Sequence, residues 1–173
     1  DKHQQEMGRL FSRFTEVAEK SIHAWYPKKR TAEEIASPSA SNRFVAWPYT
    51  KYMNAMNQIN QGAAIIIMSE TRAMRLGIDR DKFIYLHGVA DTIEKPLSTR
   101  ANFYSSDAMR IMAEQVFLDS DLSMSDISLI DFYSCFPSAV EFARDVFRVA
   151  KDDPRPLTVT GGLPFHGGAG NNY

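Results

Sequence analysis

The run GAAIIIM, residues 62–68, limits the fold more than any other stretch of the chain. An unbroken segment dense in β-branched residues reads as a strand buried on both faces, the kind found in parallel sheets. Ser69, directly after it, is placed to cap a helix, and Gly77 to end that helix in the left-handed conformation. The same alternation then repeats. Lys82 to Thr92 predicts a long strand, and Ser105 or Ser106 caps a helix that carries Ala108, Ile111, Met112 and Val116 on one face and reaches about Leu118. Ile127 to Phe132 predicts another strand. Pro137 suits the first turn of a helix that buries Phe136, Ala139, Val140, Ala143, Val146 and Phe147. Pro156 to Thr160 predicts the last strand. Strands alternating with helices imply a layered α/β domain with helices on the sheet faces.

The first sixty residues differ in texture. Met7, Leu10, Phe11, Phe14, Val17, Ala18, Ile22 and Trp25 recur at helical spacing, which predicts one amphipathic helix running to about Tyr26, where Pro27 and the basic run Lys28, Lys29, Arg30 stop it. A short helical turn follows at Thr31 to Ala36. Beyond it, SPSASNRFVAWPYTKYMNAMNQINQ is irregular and rich in aromatic residues, and it reads either as a substrate-facing insertion or as an ordered packing segment.

Composition excludes several classes. At 173 residues the chain is one domain, or one and a half. A formal charge of -1 and a pI near 6.5 give no electrostatic reason to expect nucleic acid or an anionic membrane as partner. The longest apolar run, Ala63 to Met68, is too short to cross a bilayer, and the start does not read as a signal peptide, so we expect a soluble, cytoplasmic protein. A single cysteine, Cys135, excludes an internal disulfide and removes the usual closed zinc sites, so no metal is expected. The chain starts at Asp1 close to a helical pattern and stops three residues after a glycine cluster, and we expect it to be part of a longer protein, inactive by itself.

Two segments share a geometry. SLIDFYSCFPSAVEFA and PLTVTGGLPFHGGAGNNY each read as a strand leading into a tight loop. Ligands of α/β sheets gather at the carboxyl ends of strands, where following helices offer free amide donors. Tyr133, Ser134, Cys135 and His166 belong there. The glycines around His166 leave room for something to approach it.

In order, QINQGAAIIIMSETRAMRLG, then FYSCFP, then GGLPFHGGAG resemble three segments of the thiolase superfamily, the first closing its N-terminal half and the other two lying in its C-terminal half, and the resemblance spans nearly everything from Thr15 to Tyr173. It implies a thiolase-like layered fold with helices on both faces of a mixed sheet, incomplete in this chain. Residues 1–58 would end the loop domain that covers coenzyme A, 59–78 would be the last strand and helix of the N-terminal half, and 79–173 a truncated C-terminal half. In such enzymes an upstream cysteine takes the acyl group, a Gly-His-Pro histidine activates it, and an asparagine of an Asn-Glu-Ala-Phe motif helps hold the oxyanion. Aligned on Gly161 and Gly162, the histidine position falls on Gly168, with His166 two residues earlier, and the asparagine position falls on Tyr133. Tyr133 to Phe136 is closer to the His-Asp-Cys-Phe of sterol-carrier-type thiolases. His87, in LHGVADT, belongs to an earlier strand and is read as structural.

The resemblance therefore implies catalytic roles for His166, Tyr133 and Cys135. Trp47, Met56, Asn57, Phe136, Gly161, Gly162, Gly167, Gly168 and Tyr173 would bind substrate, with Asn57 near the pantetheine. Lys28, Lys29 and Arg30 read as a solvated helix end rather than as a phosphate site. Coenzyme A enters as substrate, with no tightly bound cofactor. The full-length protein would be a homodimer or homotetramer, with a small OB-fold, zinc-ribbon protein as a possible partner. Acyl transfer of the acetyl-CoA acetyltransferase type is the first reading. A retro-aldolase acting on acyl-CoA through Tyr133 and Tyr173 is the second, and a noncatalytic acyl-CoA-binding homologue the third.

Overall fold

Helix α1 (Lys2–Ala18) carries its apolar residues as one stripe. In the computed structural model, which describes residues 2–168, that stripe is the centre of the core. Met7, Phe11, Phe14 and Ala18 are buried, the rings of Phe11 and Phe14 lie 5.1 Å apart, and Phe165 meets Phe11 edge-on at 6.2 Å. Ile35, Ala36, Tyr52, Met53, Ile130, Val140, Val149 and Leu157 complete the cluster.

The helical pattern continues to Tyr26, yet α1 stops at Ala18. The reason is tertiary. The amides of Trp25 and Tyr26 donate to the carbonyls of His166 (3.1 Å) and Phe165 (2.8 Å), and a continued helix would take both donors away. Ile22, in phase with the stripe, is left 91% exposed. Long-range hydrogen bonds here override a helical pattern, which is only a weak prior.

Helix α2 (Ala32–Ala36) starts at a capping box: Thr31 Oγ1 accepts from the Glu34 amide at 3.1 Å, and the Glu34 carboxylate accepts from the Thr31 amide at 2.7 Å. The irregular stretch after it is ordered by Asn42. That side chain is fully buried, donates to the carbonyls of Glu34, Ile35 and Ser37 at 2.9–3.0 Å, and accepts from the Tyr52 amide at 2.9 Å. A short antiparallel hairpin is built on this base, β1 (Phe44–Ala46) with β2 (Tyr49–Thr50), turning at Trp47 and Pro48.

Three further helices match their sequence signals closely. Helix α3 (Glu70–Arg75) is capped by Ser69, and Gly77 follows with φ +72°. Helix α4 (Asp107–Ser120) is capped by Ser106 rather than Ser105 and ends two residues beyond the expected Leu118. Helix α5 (Pro137–Val146) has proline in its first turn and buries Val140 and Ala143. Phe136 departs from expectation: it is the N-cap residue of α5 and is 40% exposed, not part of the buried face.

The expected strands depart further. Among the described residues the hairpin holds the one strand ladder, and 63–68, 82–92, 127–132 and 156–160 join none. A strand exists only as a pairing, because its amides and carbonyls need partners. Ile65, Ile66 and Ile67 are 83–84% exposed, so the run that reads as the most buried is open on both faces. The last two segments do lie side by side. The Phe132 amide donates to the Leu157 carbonyl at 3.0 Å, and Asp131 Oδ1 accepts from the Thr158 hydroxyl (2.9 Å) and the Val159 amide (3.0 Å).

Arginines tie the C-terminal segment to the body. Arg155 donates to the Asp153 carboxylate at 2.6 Å and to the carbonyls of Met124 and Ile127. Arg13 on α1 donates to the carbonyls of Asp153, Pro154 and Arg155 at 3.0–3.3 Å. Hydrogen bonds from the Arg155 side chain hold the Asp153 carboxyl down at about 2.

Two outcomes follow from these contacts. Asn42→Ala leaves buried backbone groups unpaired and lowers stability by about 2 kcal/mol, read from denaturant unfolding. Asp153 has a folded-state pKa below its unfolded value of about 3.9, so its contribution is present above that value and is lost as pH falls toward 2. The difference in melting temperature between wild type and Asp153→Asn therefore shrinks between pH 5 and pH 2.

Candidate functional site

Three stretches of backbone build the site. The first leaves residues 127–132 as Tyr133, Ser134, Cys135 and Phe136; the second leaves 156–160 as the turn from Gly161 to Gly168; the third is the segment from Asn54 to Gln58. Ser134 joins the first two, since its buried hydroxyl accepts from the Leu163 amide at 3.0 Å. The third is strung across both. Ala55 donates to the Cys135 carbonyl (3.1 Å), Met56 donates to the Leu163 carbonyl (3.0 Å), and Gly168 donates back to the Met56 carbonyl (3.1 Å).

The glycines of the turn have a packing reason. Gly161 and Gly162 have φ of +106° and +76°, a region that side chains rarely adopt. A Cβ on Gly161 would run into Ala18 at the end of α1, and one on Gly162 would fall 2.5 Å from the Phe14 ring and 2.7 Å from Ser134 Oγ. The room they leave is filled by α1 and Ser134. Phe165, between the two glycine pairs, is fully buried on Phe11.

Beside this framework lies a cleft of about 720 Å³. Met56 and Asn57 line it from the strung segment, Tyr133, Cys135 and Phe136 from the first loop, and Leu163, Pro164 and Gly168 from the turn. Arg43 and Val45 enter from the hairpin, Lys51 follows it, and Tyr26 lies nearby. Among the described residues no carboxylate lines the cleft, while two cations do. Arg43 donates to the Phe44 carbonyl at 2.9 Å, and Lys51 Nζ stands 5.8 Å from the centre of the Tyr26 ring. The side chains present thus suit an elongated ligand with an anionic part, amide groups and an apolar part.

Six of the site residues expected from sequence come together here: Met56, Asn57, Tyr133, Cys135, Phe136 and Gly168. Trp47 stands at the hairpin tip, 80% exposed and outside the lining. Gly161, Gly162 and Gly167 are buried in the turn and do not line the cleft. His166 also lies outside the lining: its amide donates to the Gly162 carbonyl (2.8 Å), and its carbonyl accepts from Trp25 (3.1 Å) and from Gln61 Nε2 (2.9 Å). Its ring Nδ1 is buried and has no hydrogen-bond partner among the described residues. Tyr173 falls outside the described residues. Lys29 pairs with Glu16 at 2.7 Å, and the Arg30 guanidinium lies 4.0 Å over the Tyr52 ring.

The sequence reading missed Arg43 and Lys51. Their signal was the turn Trp47-Pro48: a hairpin folded there brings Arg43 and Lys51 together, and the Lys51 amide indeed donates to the Arg43 carbonyl at 2.9 Å. Phe165, the anchor of the turn, was missed because a lone phenylalanine among glycines has no periodicity.

A search of solved structures matches this chain to the crystal structure of a monomeric SCP2-thiolase-like protein type 1 from Mycobacterium smegmatis, with 41% identity and a TM-score of 0.92. The match covers 99% of this chain, which spans 38% of the length of that structure. A scan against protein-family models and a search of curated proteins each gave no match. The likeness supports an α/β fold class. The chain belongs to the thiolase-like proteins. No helix among the described residues is long and apolar enough to cross a membrane, and no group of three potential metal ligands occurs among them.

Gly162→Ala forces a strained φ and a contact with Phe14 and Ser134, and it lowers stability by about 1–3 kcal/mol. Thermal unfolding monitored by circular dichroism reads the loss.

Proposed function

We propose that this chain forms part of an acyl-CoA site and that the longer protein to which it belongs is a thiolase-type acyltransferase of the acetyl-CoA acetyltransferase kind. One observation carries the reading: a single cleft joins Tyr133, Cys135 and Phe136 to Arg43 and Lys51, with no carboxylate among its described lining. Coenzyme A presents phosphates, a chain of amides and an acyl thioester, and each finds matching chemistry. Arg43 and Lys51 supply positive charge for phosphate oxygens. Asn54, Asn57 and Gln58 offer amide partners for the pantetheine, and Val45, Phe136 and Leu163 offer apolar surface for the acyl group.

Acyl transfer needs a nucleophile, a base and donors for a developing oxyanion. For these roles we propose the Cys135 thiol and the Tyr133 hydroxyl, both of which line the cleft. His166 is bound into the turn by its backbone and does not line the cleft, and Gly168, where the family resemblance places a histidine, does. This favours a second reading, a homologue that binds acyl-CoA without turning it over.

The finer arrangement is proposed by likeness alone. Residues 1–58 end the loop domain, 59–78 close the first half, and 79–173 belong to the second. The exposed isoleucines 65–67 lie inside a mixed sheet with helices on both faces in the longer, cytoplasmic protein. In assembly we favour a monomer over the homodimer or homotetramer that the resemblance implies, since the Mycobacterium smegmatis protein is described as monomeric.

Binding of coenzyme A and acetyl-CoA, measured by calorimetry, tests the reading. Arg43→Glu with Lys51→Glu weakens both by about tenfold or more, equivalent to about 1.4 kcal/mol, and the affinity of the wild type falls with added salt. No binding by the wild type, or unchanged binding by the charge-reversed variant, counts against it. Mass spectrometry after incubation of the longer protein with acetyl-CoA separates the two readings: an acetylated cysteine supports acyl transfer, and an unmodified protein supports the carrier.

A further inference from the structure

We propose that Tyr49 is a positioning residue that sets the width of the cleft and thereby the size of group it admits at Cys135. The nature of that group, an acyl chain, rests on the function proposed above; the clasp itself rests on geometry. Tyr49 opens β2, and its ring stacks on Phe136 with centroids 5.4 Å apart and planes 13° from parallel. Its hydroxyl donates to Ser138 Oγ at 2.9 Å, in the first turn of α5. One side chain therefore ties the hairpin, which brings Arg43 and Val45 to the cleft, to the loop that brings Cys135 and Phe136.

The rest of the hairpin is anchored elsewhere. The Thr50 hydroxyl donates to the Ile35 carbonyl at 2.7 Å, which holds the end of β2 on α2, and Gln4 Nε2 of α1 donates to the Pro48 carbonyl at the turn at 2.9 Å. β1 is exposed along its length, with Phe44 at 42% and Val45 at 48%. Phe136 is partly open to solvent and backed by Tyr49, so removal of the tyrosine ring frees both the phenylalanine and the hairpin on that side. A stacked aromatic pair and a hydrogen bond each add to the apolar contact there and have a preferred geometry.

Cys135 is the chain's one cysteine, is partly accessible and sits next to Phe136, so it reports the opening directly. The experiment compares the rates at which N-methylmaleimide and N-pyrenylmaleimide alkylate Cys135, each normalised to a free thiol and read by mass spectrometry of the Cys135 peptide. In the wild type the small reagent is preferred. Tyr49→Ala lowers that preference by about fivefold, the effect of one stack and one hydrogen bond, while Tyr49→Phe and Ser138→Ala, which keep the stack, lower it by less. An unchanged ratio in Tyr49→Ala overturns the clasp, and so does an equal rise in both rates, which reports general loosening of the fold. In parallel, Tyr49→Ala shifts binding from acetyl-CoA toward octanoyl-CoA. If the wild type binds neither, the acyl reading fails while the labelling ratio still decides the clasp.

Discussion

The turn from Gly161 to Gly168 lies directly on α1, and that contact fixes one wall of the site. Gly161 meets Ala18 and Gly162 meets Phe14 with no Cβ between them, and Phe165 is driven into the core against Phe11. Because the turn is so close, its carbonyls at Phe165 and His166 take the amides of Tyr26 and Trp25. That capture ends α1 at Ala18 and redirects the chain toward α2.

From this anchored turn the site is assembled by a few polar links. Ser134 fastens the Cys135 loop to Leu163, and the segment around Met56 is then laid across both by backbone hydrogen bonds. Such bonds satisfy groups that would be costly to bury unpaired. The residues with chemistry are thus carried on backbone that is held at both ends, with the more exposed hairpin contributing charge from one side.

The neighbourhood of Cys135 combines residues from the first loop and the turn. Gly168 occupies the place where a histidine is expected and borders the cleft, while His166 is committed to the turn through its amide and carbonyl. Tyr133 and Cys135 line the cleft from the loop that Ser134 fastens to the turn.

Much of this was legible in the sequence. Caps at Thr31, Ser69 and Ser106, the stop at Gly77, the proline start of α5 and the apolar stripe of α1 are local signals, because hydroxyl caps, positive φ and helical spacing act within a few residues. The order of the signature segments likewise identified the thiolase-like family, and six residues of the cleft could be named from it. Only the tertiary structure decided where α1 ends, that Gly161 and Gly162 pack directly on α1, that Arg43 and Lys51 join the cleft, and that the isoleucines 65–67 are exposed. Each of these depends on partners distant in sequence. An amide taken by a carbonyl 140 residues away, as Tyr26 is by Phe165 at about that separation, leaves no trace in local periodicity, and a strand is defined by a neighbour that its own residues do not specify.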